Sequence, residues 1–526
     1  MASFSVSEES LKEILPENTV RTRVPQEHVA REVRPAPGRY RNEIAKTLIR
    51  RSEACIRCGL CVRLCPYGVH VDKPGYKYFA QPRLDRCIGP ACEKTDHYCI
   101  ARCPQSALHK VDNSMVKAMG DYRWTGDMIL ATWKMAETGN LPPEEFGFEY
   151  QVGNSGGGFD RLRFRFPERS PVEVDEAEID TGIELNRRGD GRPRIRIDVP
   201  WYGGGMSFGS VSNVTQLAKA RAAVAWNTFT CTGEGGYMER MRPYDDHVIT
   251  QVATGLFGVR EETIQRVPIV EFKYAQGAKP GLGGHLLGDK NTIYVARMRE
   301  AVLGISLFSP FPFHSVYSIE DHRKHIDWIK HVNPRALIST KVSTPTDVDM
   351  VAVGSYAAGT HIVHIDGGYG GTGAAPDIAK KNIAMPIEYA IGRVHRFLEA
   401  EGARDRVTLI ASGGVRTAHD VAKAIALGAD GVVIGTAELV ALGCLRCTRC
   451  ESGRGCPRGI ATTDAQLSAK MDVAWGTQRI INLYNAWRKE LVGILRRFGM
   501  RSVSELRGRT DLLMHLDYSN DVKVKP

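Results

Sequence analysis

The sequence predicts an α/β protein: a (β/α)8 barrel preceded by a small α+β cysteine-rich domain of the two-cluster ferredoxin type. Three observations predict it. From about Ile197 short apolar strands alternate with helical segments, and strand after strand ends in glycines. Near the end of that alternation, ASGGVRTAHDVAKAIALGA from Ala411 and GVVIGTAEL from Gly431 both turn from strand to helix through small residues. Such turns aim backbone N–H groups at an anion, and two in succession are the phosphate loops expected after the seventh and eighth barrel strands. Upstream, CIRCGLCVRLCP gives Cys55, Cys58, Cys61 and Cys65-Pro66, the C-x2-C-x2-C-x3-C-P run of bacterial-type ferredoxins.

Composition narrows the class before any element is placed. The chain has 526 residues, 43% hydrophobic and 25% charged, ordinary for a globular protein of two to four domains. A net charge of +10 is modest at this size, and the basic residues lack the interleaved aromatics of a nucleic-acid groove. No apolar run reaches the ~18 residues that span a bilayer, and MASFSVSEESLKEIL is not a signal peptide, so a cytoplasmic protein is expected. Of 13 cysteines all but Cys231 fall in metal-type clusters, which suits a reducing compartment.

In order, residues 1–50 read as a docking extension and residues 51–112 as the cysteine-rich domain. Its second run, Cys87, Cys92, Cys99 and Cys103-Pro104, has its first two gaps expanded. The fourth cysteine of each run serves the other cluster in such domains. Cys55, Cys58, Cys61 and Cys103 are therefore expected to hold one [4Fe-4S] cluster, and Cys87, Cys92, Cys99 and Cys65 the other. Residues 113–195, with the helical MILATWKMAETG, read as a connector without chemistry.

The barrel is expected over 196–464. Its strand ends carry Met206, Ser207, Glu234, Lys273, Gln276, Lys279, His285, Lys341 and Asp366, all on the face where barrels place active sites. Behind the phosphate loops, Cys444, Cys447, Cys450 and Cys456-Pro457 form C-x2-C-x2-C-x5-C-P. Three cysteines at x2 spacing before a Cys-Pro follow the iron–sulfur pattern better than paired zinc knuckles. A third redox centre beside a phosphate-bearing cofactor is expected. Residues 465–526 read as amphipathic helices that cap the barrel or form an oligomer contact.

GMSFGS at Gly205, TGEGG at Thr232, QVATGLFGV at Gln251, AQGAKPGLGG at Ala275, SIEDH at Ser318, DGGYGGTGAAP at Asp366, SGGVRT at Ser412 and CPRGIAT at Cys456 occur in that order. Over about 200–465 the chain resembles the FMN-binding synthase domain of glutamate synthase; with its ferredoxin-like part it resembles the short archaeal-type subunit. The resemblance implies an FMN barrel that reduces 2-iminoglutarate, made from 2-oxoglutarate and ammonia, to L-glutamate. It implies Lys279, Arg299, Glu234 and His285 on the substrate side. On the FMN side it implies Met206, Ser207, Gln276, Lys341, Asp366, Gly367, Gly368, Gly413, Gly414, Gly435 and Thr436. Lys341 would face the flavin N1–O2 edge, and Gly413, Gly414, Gly435 and Thr436 the phosphate.

Two departures stand out. The family's GEGGQ loop reads GLGGH, placing Leu282 and His285 where the family has Glu and Gln. The family's cluster has three cysteines and is [3Fe-4S], whereas Cys447 supplies a fourth here, which favours [4Fe-4S]. No cysteine precedes Cys55 and no G-x-G-x-x-G follows a strand, so a separate glutaminase subunit and a separate donor, an NADPH-dependent flavoprotein subunit or ferredoxin, are expected. Two rival functions are a related subunit making N-methylglutamate from methylamine and a flavoprotein that only relays electrons.

Overall fold

The computed structural model describes residues 24–39, 44–75, 80–309, 313–371, 375–376, 378–380, 382–451 and 453–517. Parts of the expected extension, of the loop after Asp366 and of the C-terminal region therefore lie outside the described residues. Eight parallel strands close into a barrel: β1 Trp201–Gly203, β2 Thr230–Cys231, β3 Val248–Ala253, β4 Ile269–Lys273, β5 Leu337–Ser343, β6 Ile362–Asp366, β7 Thr408–Ser412 and β8 Gly431–Ile434. Val432 opposite Trp201 and Ile434 opposite Gly203 seal β8 to β1. The expected fold class is the observed one.

The first barrel strand begins at Trp201 rather than near Ile197. Pro200 has no N–H to give a ladder, and Arg196–Ile197 pairs antiparallel with Ile183–Glu184 instead. Strand β3 carries no motif of its own in the element-by-element reading. All six of its residues are buried, as in parallel strands covered on both faces, so no alternation marks it.

Crossover helices start where caps demand. α2 (Asn213–Ala225) follows β1 behind the Ser212 cap, α5 (Ile319–Val332) starts behind Ser318, and α8 (Ala418–Ala426) follows β7 behind Thr417. Each cap hydroxyl accepts the N–H three residues on, at 3.2, 3.3 and 3.2 Å. The SIEDH motif is thus partly a helix start. α3 (Glu261–Arg266), α4 (Ile293–Arg299), α6 (Val348–Ala358), α7 (Ile387–Ala400) and α9 (Thr436–Ala441) complete the ring. After β2 the crossover is a 3-10 segment, Glu239–His247, because Pro243 removes an α-helical donor.

Outside the ring, α1 (Gly126–Thr138) of the connector packs on the 25-residue α10 (Val473–Arg497), which also packs against α2. Trp487 and Tyr484 of α10 meet Trp201 edge-on, each at 5.8 Å between centroids. Only part of the C-terminal region is helical, since Leu513–His515 pairs antiparallel with Leu162–Phe164 of the connector. Residues 32–37 form a strap over α10. Asn482 donates to Arg34 O at 2.8 Å, Arg479 to Ala36 O at 2.7 Å and Trp475 Nε1 to Pro37 O at 2.8 Å. In the cysteine-rich domain Thr47–Arg51 pairs with Leu108–Asp112, bracketing both runs, so its first strand starts four residues before position 51.

Candidate functional site

Inside the barrel, polar side chains of neighbouring strands form one buried chain. Gln251 of β3 donates to Glu271 of β4 at 2.7 Å, and Ser339 of β5 donates to the other Glu271 oxygen at 2.8 Å. His364 of β6 bridges Glu271 at 3.0 Å and Ser412 Oγ of β7 at 2.7 Å, and Ser412 donates to Asp366 at 2.6 Å. Lys341 Nζ lies 3.5 Å from Asp366, whose other contact is the Gly277 N–H at 2.9 Å. Burial raises the Glu271 carboxyl, yet His364 and Lys341 hold it down to about 2. Burial by itself would discharge Lys341; Asp366 and Glu271 outweigh it and raise its pKa above the usual value. The network fixes one cation at the barrel mouth.

A second group stands beside it. Glu234, after β2, is paired with Lys273 at 2.5 Å, and Lys273 also donates to Gln276 at 3.1 Å. Burial raises the Glu234 carboxyl, but Lys273, Lys279 and Arg299 together hold it below the usual range. Three cations around one carboxylate leave an excess of two positive charges. Lys279 donates to Gly283 O at 2.9 Å, and burial and the neighbouring Lys273 depress its ammonium to about 8. Arg299 donates to Ser207 Oγ at 2.8 Å and is depressed to about 10 by burial; its Nε and the Ser309 Oγ are buried without a hydrogen-bond partner. Orphaned buried donors of this kind are what an anionic ligand satisfies.

One cavity joins these groups to the phosphate loops. Met206, Ser207, Glu234, Gln276, Lys279, His285, Lys341, Asp366, Gly413, Gly414, Gly435 and Thr436 all line it. Gly413 and Gly414 sit at φ 98° and 106°, and a Cβ on Gly413 would meet Gly367 O at 2.4 Å, so glycine is required there. His285 is exposed at the edge, with its ring edge-to-face on Phe308. Arg299 stands one layer behind the lining. So do Gly367 and Gly368, whose N–H groups are used by Ser412 O and Met385 O; Gly370 and Gly371 line the cavity instead.

The same cavity is lined by Cys444, Cys447, Cys450 and Cys456. Buried Lys290 holds the far side of that loop through Cys450 O at 2.7 Å and Glu451 at 2.9 Å. In the N-terminal domain Cys55, Cys58, Cys61 and Cys103 line one pocket with Pro104. Cys65, Cys87 and Cys92 surround Cys99, whose thiol is pushed up to about 12 by burial and by those neighbours. Backbone N–H groups point at sulfur from Gly89 to Cys87, Ala107 to Cys103 and Arg446 to Cys444, at 3.3–3.4 Å. Such bonds surround cluster thiolates. Among the described residues no three His, Cys, Asp or Glu side chains converge on a point that would hold a single metal ion.

The sequence reading missed Gln251, Glu271, Ser339, His364 and Ser412. Their signal is a polar residue inside an otherwise apolar strand, repeated on five successive strands. It also gave the connector no chemistry, yet Asp121 and Trp124 line the cavity and Asp121 holds Arg446 at 2.8 Å.

A family model described as the conserved region in glutamate synthase matches residues 158–501, and one described as a 4Fe-4S binding domain matches residues 49–69. The chain is 36% identical over 481 residues to the archaeal-type glutamate synthase [NADPH] of Thermotoga maritima, covering 87% of this chain and 92% of that one. It is 34% identical over 499 residues to the archaeal glutamate synthase [NADPH] of Archaeoglobus fulgidus, covering 88% and 93%. Against the glutamate synthase [NADPH] large chain of Azospirillum brasilense it is 37% identical over 372 residues, covering 68% of this chain and 23% of that one.

Proposed function

The chain belongs to the glutamate synthase family, an oxidoreductase family, and from that premise we propose that it makes L-glutamate from 2-oxoglutarate and ammonia by way of 2-iminoglutarate. What carries the reading is the single cavity in which phosphate loops, an excess of two positive charges and a cysteine loop meet. A dicarboxylate 2-oxo acid matches that excess. FMN, when bound, supplies hydride to the imine carbon.

This chain's residues bind, orient and charge the site. Gly413, Gly414, Gly435 and Thr436 would hold the phosphate on backbone donors, and Met206, Ser207, Gln276 and Asp366 flank the space for the ring. Lys341 supplies a fixed positive charge beside that space. Lys279 contacts one carboxylate as a point charge, and Arg299, one layer behind, adds its charge to the other end and holds Ser207, which lines the cavity. Glu234, kept ionised by Lys273, Lys279 and Arg299, offsets part of their charge and holds Lys273 in place, with His285 at the edge of the same space.

Cys55, Cys58, Cys61 and Cys103 would hold one [4Fe-4S] cluster, Cys65, Cys87, Cys92 and Cys99 a second, and the Cys444–Cys456 loop a third, which together would supply electron transfer from an NADPH-linked flavoprotein subunit or ferredoxin. Ammonia comes from a separate glutaminase-type subunit, and the assembly works in the cytoplasm. Among the described residues no helix is long and apolar enough to cross a membrane.

The test is glutamate formation by the purified anaerobic holoenzyme with dithionite and 2-oxoglutarate. Ammonium is expected to support turnover, and 15N-amide glutamine to label product only once a glutaminase is added. Methylamine outperforming ammonium, or flavin that stays reduced with both amines, would overturn the reading.

A pH effect follows from Lys279. Its depressed pKa means that it is charged below about 8 and neutral above, and a dianion binds the charged form. Apparent KM for 2-oxoglutarate is therefore expected to climb roughly 10-fold as pH passes that value, the loss of one charge-assisted hydrogen bond. Lys279→Arg, which stays charged, should flatten the rise. A wild-type KM that is level across the interval would remove Lys279 from the substrate.

A further inference from the structure

We propose that Cys447 is a fourth ligand of the third cluster and that this cluster is a four-iron cubane, [4Fe-4S]. The proposal rests on the reading above only for the presence of a cluster at Cys444–Cys456.

Two loops of this chain share the C-x2-C-x2-C spacing, Cys55–Cys61 and Cys444–Cys450, and they share a backbone conformation as well. In the first loop the residues flanking the middle cysteine, Arg57 and Gly59, are left-handed at φ 55° and 73°. In the second, Arg446 and Thr448 flank Cys447 at φ 59° and 59°. The middle cysteine is exposed in both loops, and its neighbours in the run are half-buried. The Cys55 loop lies in the segment that matches a 4Fe-4S binding domain.

Thr448 makes the likeness informative. A β-branched residue in the left-handed region is an outlier, and it persists where surroundings over-determine it. The surroundings do so here. Thr448 Oγ1 donates to Cys447 O at 2.8 Å, Asp121 grips Arg446 at 2.8 Å, and Lys290 holds Cys450 O at 2.7 Å. A loop that used Cys444, Cys450 and Cys456 alone would have no reason to keep a left-handed exception on each side of residue 447. Cys456-Pro457 repeats the Cys-Pro that closes both ferredoxin-type runs, Cys65-Pro66 and Cys103-Pro104.

The chemistry of the ligand set decides the cluster type. A three-iron cluster is a cubane that lacks the iron at the corner without a thiolate. A fourth thiolate at that corner retains the metal.

The experiment uses anaerobically purified holoenzyme, with iron analysis, EPR, flavin content and glutamate formation on the same samples. Oxidised wild type is expected to show no three-iron signal. Cys447→Ser is expected to lose one iron per chain and gain that signal, while flavin content and the two N-terminal clusters are unchanged. Should the variant fail to fold, iron analysis and EPR of untreated wild type decide, because a three-iron third cluster leaves one iron fewer per chain and shows its own signal. A three-iron signal in untreated wild type overturns the proposal. Wild type that makes glutamate with no third cluster overturns it as well, and leaves the reaction assignment standing.

Discussion

Arg416→Ala is expected to destabilise the barrel by about 3–5 kcal/mol, the cost of removing one partner from a buried ion pair. Arg416 is fully buried and serves two carboxylates at once. It donates to Asp160 at 2.6 and 3.1 Å, to Asp420 at 2.7 and 3.1 Å, and to Arg123 O at 2.9 Å. Without it two charges stay buried unpaired, and the connector loses its anchor on the loop after β7. Burial opposes ionisation of Asp160, but Arg416, with Ser155 and Gly153 N–H, holds its pKa well below the usual range. A depressed carboxyl contributes stability above its unfolded pKa and loses it as pH falls through the folded one. Wild type and variant should therefore differ most at neutral pH and converge in strong acid. Guanidinium unfolding followed by tryptophan fluorescence gives the number. A difference under about 1 kcal/mol at neutral pH would mean that the two aspartates find other partners. Arg416→Lys should recover little, since a point charge cannot fork between two carboxylates.

Lys341→Met is expected to slow glutamate synthesis by about 10²-fold or more. Removing one preorganised donor from a site where charge develops costs roughly 2.7–4 kcal/mol. Lys341 suits that role because Asp366 and Glu271 keep it charged in a buried place, and methionine matches its length without its charge. The decisive comparison is bound flavin against rate. Flavin near stoichiometric, with its reduction slowed and its potential lowered, fits a residue that stabilises the reduced ring. Normal rates in flavin-replete variant would move Lys341 out of the reaction.

The parts of this protein that were legible in its sequence are those whose signal is local. Glycines at 413 and 414 announce a turn because their own φ angles demand it, and cysteine spacing sorts two ligand sets because thiolate reach is short. Ser318 and Thr417 betray helix starts within four residues. Non-local features left no such trace. Arg416 and Asp160 lie 256 residues apart, and nothing near either one names the other. Gln251, Glu271 and His364 each look like a misplaced polar residue in an apolar strand until barrel closure turns them toward one another from β3, β4 and β6. Strand β3, buried on both faces, has neither alternation nor a glycine-rich strand end as distinctive as its neighbours'. Arg299 was legible by motif, but its place one layer behind the cavity, braced on Ser207, depends on where α4 packs.

The strap over α10 has a consequence for synthesis on the ribosome. Arg34 and the amide that receives it, Asn482, are 448 residues apart. At about 5–20 residues per second, on the order of 20–90 s separate the emergence of the first from that of the second. Throughout that interval residues 32–37 have no helix to lie on. The cysteine-rich domain, whose paired strands are both translated by Asp112, has the part of that interval between Asp112 and Asn482 in which to receive its iron before the last helix arrives and fastens the strap.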